Sequence, residues 1–205
     1  VMVAGARSGK TATVLMPTLL TYPGSIVVLD PKGELARETA AHRRDVLGQR
    51  TYICDPFGTS GQAASPHNPL AEIDLASNTV VDDVDVIAQT LILKEGGDDG
   101  SHWTNSAQAY LRGLLLHTLT LPEAERTLTT TRQLMMLTYP PLVAAQAALA
   151  AQGAKDPAEA AQHTLFMEMA ARTELFGGAL AGAGTSFLKK NPKERSSIVS
   201  TISPG

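Results

Sequence analysis

The stretch VMVAGARSGKTATVLMPTLL, residues 1–20, decides the predicted fold of this chain. Val1–Val3 is typical of a short buried strand, and Ala12–Leu20 is apolar enough to form a helix. Between them lies the pattern A-x-x-x-x-G-K-T, which differs from the phosphate-binding loop G-x-x-x-x-G-K-[ST] only in its first residue. This order of strand, small-residue loop and helix predicts nucleotide binding.

The chemistry of the loop explains its residue types. Small residues let backbone N–H groups surround phosphate oxygens, and the positive end of the helix dipole adds to the attraction. Lys10 would reach the β and γ phosphates of ATP, and the hydroxyl group of Thr11 would bind Mg²⁺, so these two carry the predicted catalysis. The predicted nucleotide-binding residues are Ala4, Gly5, Ala6, Arg7, Ser8, Gly9, Lys10 and Thr11.

Two further apolar runs predict a parallel sheet. Ser25–Leu29 and Thr51–Cys54 are typical of strands, and the helical segment Glu34–Leu47 separates them. Alternating strands and helices predict an α/β fold. Asp30 follows the first of these runs, at the edge where ligands bind in such sheets. Two interpretations are open for it: binding the nucleotide's magnesium, or capping the helix that begins near Lys32.

Residues 71–185 lack strand signals, and we expect them to be all α-helical. Val80, Val84, Ile87 and Leu91 recur at helical spacing, and four more helical segments follow. GGALAGAG at 177–184 is typical of a loose connector, and a last helix is predicted to run through Ile202.

Charge divides the chain into three parts. Residues 1–70 carry seven Lys/Arg and five Asp/Glu, residues 71–185 carry six and fourteen, and residues 186–205 carry four and one. An acidic surface repels the phosphates of DNA, so the helical middle is predicted to be a poor DNA-binding surface. The alternative is an acidic face that serves only solubility.

Several single features limit the possibilities further. Cys54 is the only cysteine, which excludes an internal disulfide bond, and its place in a predicted strand suggests a buried thiol. We expect Trp103, the only tryptophan, to be a core anchor. No uninterrupted apolar run reaches the roughly 18 residues that span a membrane. The chain starts at Val1 rather than at a methionine, so we expect a piece of a longer protein.

Several stretches together resemble conjugative coupling proteins of the TraG/TraD type, the motor ATPases of type IV secretion. The stretches are SGK at 8–10, MPTLLTYPGSIVVLDPKGEL at 16–35, YICDPFG at 52–58, HNPL at 67–70, HWTNSAQAYLRGLLLH at 102–117 and KERSSIVSTI at 193–202. The phosphate loop alone is shared by many families, whereas the combination in this order is specific.

This resemblance implies a RecA-like P-loop NTPase with a parallel sheet, interrupted by an all-α inserted domain. It assigns residues 1–70 to the nucleotide-binding domain, 71–185 to the insertion, and 186–205 to the return into the nucleotide-binding domain. It also implies a hexamer at the cytoplasmic face of the bacterial inner membrane, with ATP and Mg²⁺ as cofactors. Such a motor would move relaxase–DNA complexes or effector proteins into the type IV secretion channel, contacting DNA through the motor domain rather than the acidic insertion.

The family's membrane helices and its Walker B Asp-Glu pair do not occur in the 205 residues. We therefore expect a soluble fragment of an ATPase that is inactive alone. Two alternatives stay open: a DNA translocase of the FtsK/HerA kind, and a substrate-docking adaptor with a non-hydrolysing nucleotide site.

Overall fold

The computed structural model describes residues 9–93 and 101–202. The chain divides into two compact units, one running to His67 and the other starting at Asn68. Ala4–Ser8, most of the predicted phosphate loop, lies outside the described residues. The predicted domain limits of 1–70, 71–185 and 186–205 stay predictions.

The described part of the first unit contains two helical segments. The first begins as a π-helical turn, Thr11–Leu15, and continues as helix α1, Met16–Thr21. Pro17 has no N–H to donate and its ring crowds the preceding turn, so the wider π turn accommodates it. Helix α2 spans Glu34–Asp45 and follows Gly33, whose backbone is left-handed.

A buried guanidinium ties the end of α1 to α2. Arg43 is 8% exposed and donates to the carbonyl oxygens of Leu19 at 2.6 Å, Tyr22 at 3.2 Å and Gly24 at 3.0 Å, and to the side chain of Gln49. The last carbonyls of a helix have no partner within it, and the helix dipole is negative there. A cation at this point therefore satisfies them and fixes the loop between the helices.

The predicted parallel sheet, and with it the RecA-like α/β fold, is wrong for this structure: none of the described residues forms a strand. Val27 is 102% exposed and Leu29 is 91% exposed, whereas the sequence predicted burial on both faces. A strand exists only where a neighbouring strand completes its backbone hydrogen bonds. The apolar runs have the composition of strands, but no described segment pairs with them.

The second unit is built of α-helices and short 3₁₀ turns throughout its described residues. Its helices are α3 (Val80–Leu91), α4 (Ser101–Leu119), α5 (Leu128–Met135), α6 (Pro140–Ala151), α7 (Pro157–Ala171), α8 (Ala179–Leu188) and α9 (Pro192–Ile202). The 3₁₀ turns are Pro69–Glu72, Glu123–Glu125 and Leu175–Gly178.

Helix α4 lies at the centre of this unit. Residues 114–119 are all buried, and Leu114, Leu115 and Leu116 have no exposed surface. A helix that is buried on every face needs neighbours on every side. Helices α3, α5, α8 and α9 provide them.

Two glycines permit close packing of α8 against its neighbours α7 and α4. A Cβ atom at Gly184 of α8 would lie 2.7 Å from the backbone nitrogen of Ala170 and from the carbonyl oxygen of Phe166, both on α7. A Cβ atom at Gly113 of α4 would lie 2.9 Å from the Cβ of Ala183 on α8. Contacts this short are excluded for other residues, so these two positions require glycine.

The sequence GGALAGAG was wrongly predicted to be a loose connector. Gly177 and Gly178 have positive φ values of 61° and 85° and form the turn, but α8 starts directly afterwards at Ala179. Its remaining glycines lie inside the helix. The predicted last helix is confirmed as α9, which packs against α4.

Two expectations about single side chains are also wrong. Trp103 is 38% exposed rather than a core anchor, and Cys54 is exposed rather than buried in a strand. The thiol is exposed because the strand that was to bury it does not form.

By length and composition, one segment of the described chain is apolar enough to cross a membrane, Leu128–Ala151. The segment is not an uninterrupted apolar run, because it includes Arg132 and Gln133. In the structure the segment comprises α5 and α6, and Leu137 between them has a positive φ of 56°. Each helix is shorter than the roughly 20 residues of a spanning helix.

Of the histidines whose exposure the structure describes, His117 of α4 is the most buried. His117 is 4% exposed, and its Nδ1 has no hydrogen-bond partner in the structure. Burial, and secondarily the positive charge of Arg172, lowers the pKa of His117 from 6.5 to about 4. The folded protein therefore holds this imidazole in its neutral form at physiological pH.

This burial predicts that acid weakens the second unit. In the unfolded chain His117 binds a proton below about pH 6.5, whereas in the folded chain it binds one only near pH 4. The free energy of unfolding should therefore fall as the pH is lowered from about 6.5 to about 4. The loss should be on the order of 3 kcal/mol. Urea unfolding followed by circular dichroism from pH 7.5 to pH 4 measures it. His117→Asn should remove this part of the pH dependence, and His163→Asn, at an exposed position, should keep it. An unchanged slope in His117→Asn would contradict the assignment.

Candidate functional site

The structure describes the predicted phosphate loop from Gly9 onward, where the chain turns and enters a helix. Gly9 has a φ of +77°, a left-handed conformation that favours glycine. Its carbonyl oxygen accepts hydrogen bonds from the backbone nitrogen of Thr13 at 3.0 Å and from the Thr13 hydroxyl at 2.9 Å. Lys10 and Thr11 follow directly and open the helix. Three predicted residues thus lie together at a helix N-terminus, a position that attracts anions.

Asp30 is engaged with α2. Its Oδ2 accepts a hydrogen bond from the backbone nitrogen of Ala36 at 2.9 Å, and its carbonyl oxygen accepts one from Gly33 at 3.1 Å. The carboxylate satisfies one of the N–H groups that the first turn of a helix leaves without an internal acceptor. These bonds support the capping interpretation of Asp30, and its role as a magnesium ligand stays a prediction.

Asp55 closes the turn that follows the second apolar run. Its carboxylate accepts hydrogen bonds from the Ser60 hydroxyl at 2.6 Å, the Ser60 nitrogen at 2.7 Å and the Thr59 nitrogen at 2.9 Å. These bonds, led by that of the Ser60 hydroxyl, lower the pKa of Asp55. They hold the carboxylate in its charged form and fix residues 55–60.

The two turns pack against each other within the first unit. A Cβ atom at Gly33 would lie 2.4 Å from Cα of Ser60, so the two backbones meet with no room for a side chain. Arg37 adds hydrogen bonds to the carbonyl oxygens of Ser60 at 3.3 Å and Thr59 at 3.4 Å. Asp55, Ser60 and Arg37 therefore position the Asp30 turn. None of the three was predicted as a site residue, although the Asp-Pro that follows each apolar run was a signal for Asp55.

Within residues 9–93 and 101–202, no three His, Cys, Asp or Glu side chains come together as candidate metal ligands. A magnesium ion held by Thr11 and by nucleotide phosphates does not require such a cluster.

Residues 1–204 match the family model of type IV secretory system conjugative DNA transfer. The conjugal transfer protein TraG of Escherichia coli is 37% identical over 116 residues, which are 57% of this chain and 18% of that protein. Protein VirD4 of Agrobacterium fabrum is 48% identical over 72 residues, or 35% of this chain and 10% of that protein. The type IV secretion system-coupling protein VirD4 of Bartonella quintana is 40% identical over 53 residues, or 26% and 8%. No solved structure matches. The chain thus aligns with less than a fifth of each of these relatives.

The contact between the two turns predicts an unequal effect of two glycine substitutions. Gly33→Ala combines an unfavourable φ of +67° with a clash against the Ser60 backbone and should destabilise the first unit by about 2–5 kcal/mol. Gly58→Ala has the same φ of +67° but open space around it, so it should cost only about 1–2 kcal/mol. Differential scanning calorimetry compares the two variants, and equal destabilisation would contradict the close approach.

Proposed function

Because the chain belongs to the family of type IV secretory system conjugative DNA transfer proteins, we propose that it is the ATP-binding part of a coupling motor. The motor would recruit relaxase–DNA complexes or protein substrates and pass them to the secretion channel. The family match over residues 1–204, together with the Gly9-Lys10-Thr11 turn at a helix start, is the observation that carries this proposal. A hexamer at the cytoplasmic face of the inner membrane is the corresponding proposal for the whole protein.

The first unit would bind ATP with Mg²⁺. The left-handed turn at Gly9 and the helix start at Lys10 and Thr11 suit a phosphate group, since both place backbone and side-chain donors around an anion. Lys10 would neutralise phosphate charge, and the Thr11 hydroxyl would hold the magnesium ion. ATP supplies the phosphoryl transfer that drives transport.

Hydrolysis needs more of the protein than these 205 residues. No Asp-Glu pair of the kind that polarises the attacking water occurs in the sequence. Asp30, the nearest candidate by sequence, already accepts a hydrogen bond from Ala36. We therefore assign ATPase activity to the full-length protein and not to this chain alone.

The second unit would dock protein substrates and leave DNA contacts to the motor domain. Residues 71–93 contain five Asp or Glu and no Lys or Arg. Glu72 and Asp82 of this acidic segment are exposed, and α3 holds Asp82 on a regular helix. Such a surface repels phosphates and attracts a basic protein surface.

The nucleotide site predicts a strong effect of Lys10→Ala. Loss of a charged hydrogen-bond donor costs about 3 kcal/mol, so ATP affinity of the full-length protein should fall roughly 100-fold. Calorimetric titration with Mg²⁺ and ATP measures this loss, and circular dichroism verifies that the variant is folded. Lys155→Ala, at an exposed lysine of the second unit, should bind ATP as the unmodified protein does. Unchanged affinity in Lys10→Ala would refute the site.

The docking role predicts that the 205-residue chain binds a cognate relaxase and not single-stranded DNA. Neutralising the acidic segment in the double variant Glu72→Gln/Asp82→Asn should weaken relaxase binding about 5- to 10-fold, since each rim charge contributes up to about 1 kcal/mol. Interferometry at two salt concentrations measures both ligands. The matched control, Glu34→Gln/Glu38→Gln, changes two exposed glutamates of α2 and should bind normally. Salt-sensitive DNA binding without relaxase binding would reverse the assignment.

A further inference from the structure

A cleft of about 400 Å³ opens between α4 and α8 in the second unit. Its floor consists of three buried rings: Tyr110 stacks on Phe187 at a centroid distance of 4.8 Å, and Phe166 stacks on Phe187 at 4.0 Å. Its lining residues include Asn105 and Gly113 of α4, so it follows about 12 Å of that helix. This length suits an extended peptide of about four residues rather than a single compact group.

Gly182 leaves the backbone of α8 open inside this cleft. A Cβ atom at this position would meet nothing within 4 Å, in contrast with Gly113 and Gly184, where packing forbids a side chain. Glycine in a helix interior costs about 1 kcal/mol relative to alanine, so packing alone gives no reason for it here. A glycine of this kind permits close approach of a ligand to the backbone.

Two cations line the cleft, and none of its lining residues is acidic. Arg112 stands on the α4 side and pairs with Asp85 at 3.1 Å, and Lys190 stands at the end of α8 and pairs with Glu194. Both pairs are partly exposed, so the Coulomb attraction within each is weak. Arg112 has a buried Nε without a hydrogen-bond partner in the structure, and both cations have more donors than one carboxylate uses.

The helix directions set the spacing of these cations. Gly113 faces Ala183 and Tyr110 faces Phe187, so α4 and α8 run in opposite directions. Arg112 therefore lies level with the middle of α8, and Lys190 lies roughly 9 Å further along the cleft. In an extended peptide, residues i and i+3 are about 10 Å apart and their side chains point to opposite sides. This spacing matches that of Arg112 on the α4 side and Lys190 on the α8 side.

From this cleft we infer a docking site for an extended peptide segment of the form acidic–apolar–small–acidic, carried by a protein substrate. The two carboxylates would meet Arg112 and Lys190, and the residues between them would lie on the Gly182 backbone above the aromatic floor. The inference rests on the proposed docking of protein substrates, but it uses the cleft between α4 and α8, which meets the acidic segment at the Arg112–Asp85 pair.

A single DNA strand fits the cleft less well. Proteins that bind single-stranded DNA stack bases on exposed aromatic faces. Tyr110, Phe166 and Phe187 are 5%, 1% and 4% exposed, and Phe187 stacks on both other rings, so the cleft presents no such face. Two isolated cations also match two carboxylates better than a continuous phosphate chain.

The test uses the 205-residue chain and a fluorescent octapeptide, Gly-Ser-Glu-Leu-Ala-Glu-Gly-Ser, in a polarisation titration. The matched Gln-Leu-Ala-Gln peptide should bind on the order of tenfold more weakly. Gly182→Leu fills the cleft and should reduce binding of the acidic peptide by about tenfold or more, and Lys190→Gln should reduce it severalfold. Ala147→Leu, which adds the same side chain at an exposed position of α6, should bind as the unmodified chain does.

Thermal unfolding verifies that each variant is folded, and Lys190→Gln decides the question if Gly182→Leu does not fold. Equal binding of the two peptides, or undiminished binding by folded Gly182→Leu and by Lys190→Gln, would overturn the inference. The inference would also be overturned if an eight-nucleotide oligothymidine bound more tightly than the acidic peptide and Gly182→Leu abolished that binding. Relaxase binding is titrated in parallel. If the chain binds relaxase but not the peptide, this inference alone is overturned. If neither the unmodified chain nor any variant binds relaxase, the proposed docking function is overturned.

Discussion

The second unit depends on the burial of the last part of α4, residues 114–119, on every face. Because residues 114–119 are all buried, each neighbouring helix must supply surface that matches α4. That requirement places Gly113 where α8 approaches and encloses His117, whose pKa falls because the core solvates its cation poorly. The polar Thr118 is accommodated because its hydroxyl bonds the carbonyl of Leu114 and the hydroxyl of Thr131. The cleft beside Gly182 arises on the same side, where α8 passes α4 without a side chain to fill the gap.

The first unit is held by a different device. Where the sequence predicts backbone pairing of strands, the structure uses charged side chains that bond to backbone atoms of turns. Arg43 donates to carbonyl oxygens in the last turn of α1 and in the loop after it. The Asp30 carboxylate accepts the backbone N–H of Ala36 in the first turn of α2, and the Asp55 carboxylate accepts those of Thr59 and Ser60. Such bonds fix the loop that follows α1 and the turn that leads into α2.

The sequence predicted what is local and failed where structure depends on distant partners. Helical spacing located α3, and the Asn191-Pro192 start signal located α9. A contiguous motif placed Gly9, Lys10 and Thr11 together at a helix start. Strands failed because pairing is not encoded in an apolar run such as Ser25–Leu29. GGALAGAG misled because glycine propensity is a weak prior that helix packing overrides at Gly184. The contact of Gly33 with Ser60 joins positions far apart in sequence and was not predictable from either one.

The ion pair between Arg112 and Asp85 links the two charged surfaces of the second unit. Asp85 belongs to the acidic segment on α3, and Arg112 lines the cleft on α4. A carboxylate that enters the cleft competes with Asp85 for the same guanidinium. Because the pair is about one-third exposed, this competition costs little in stability, and a released Asp85 adds one more uncompensated charge to the acidic segment. In the docking proposed above, an acidic peptide in the cleft would therefore strengthen the attraction of α3 for a basic protein surface. A substrate that carries both features would be favoured over one that carries either alone, because the two opposite charges are linked through Arg112 and Asp85.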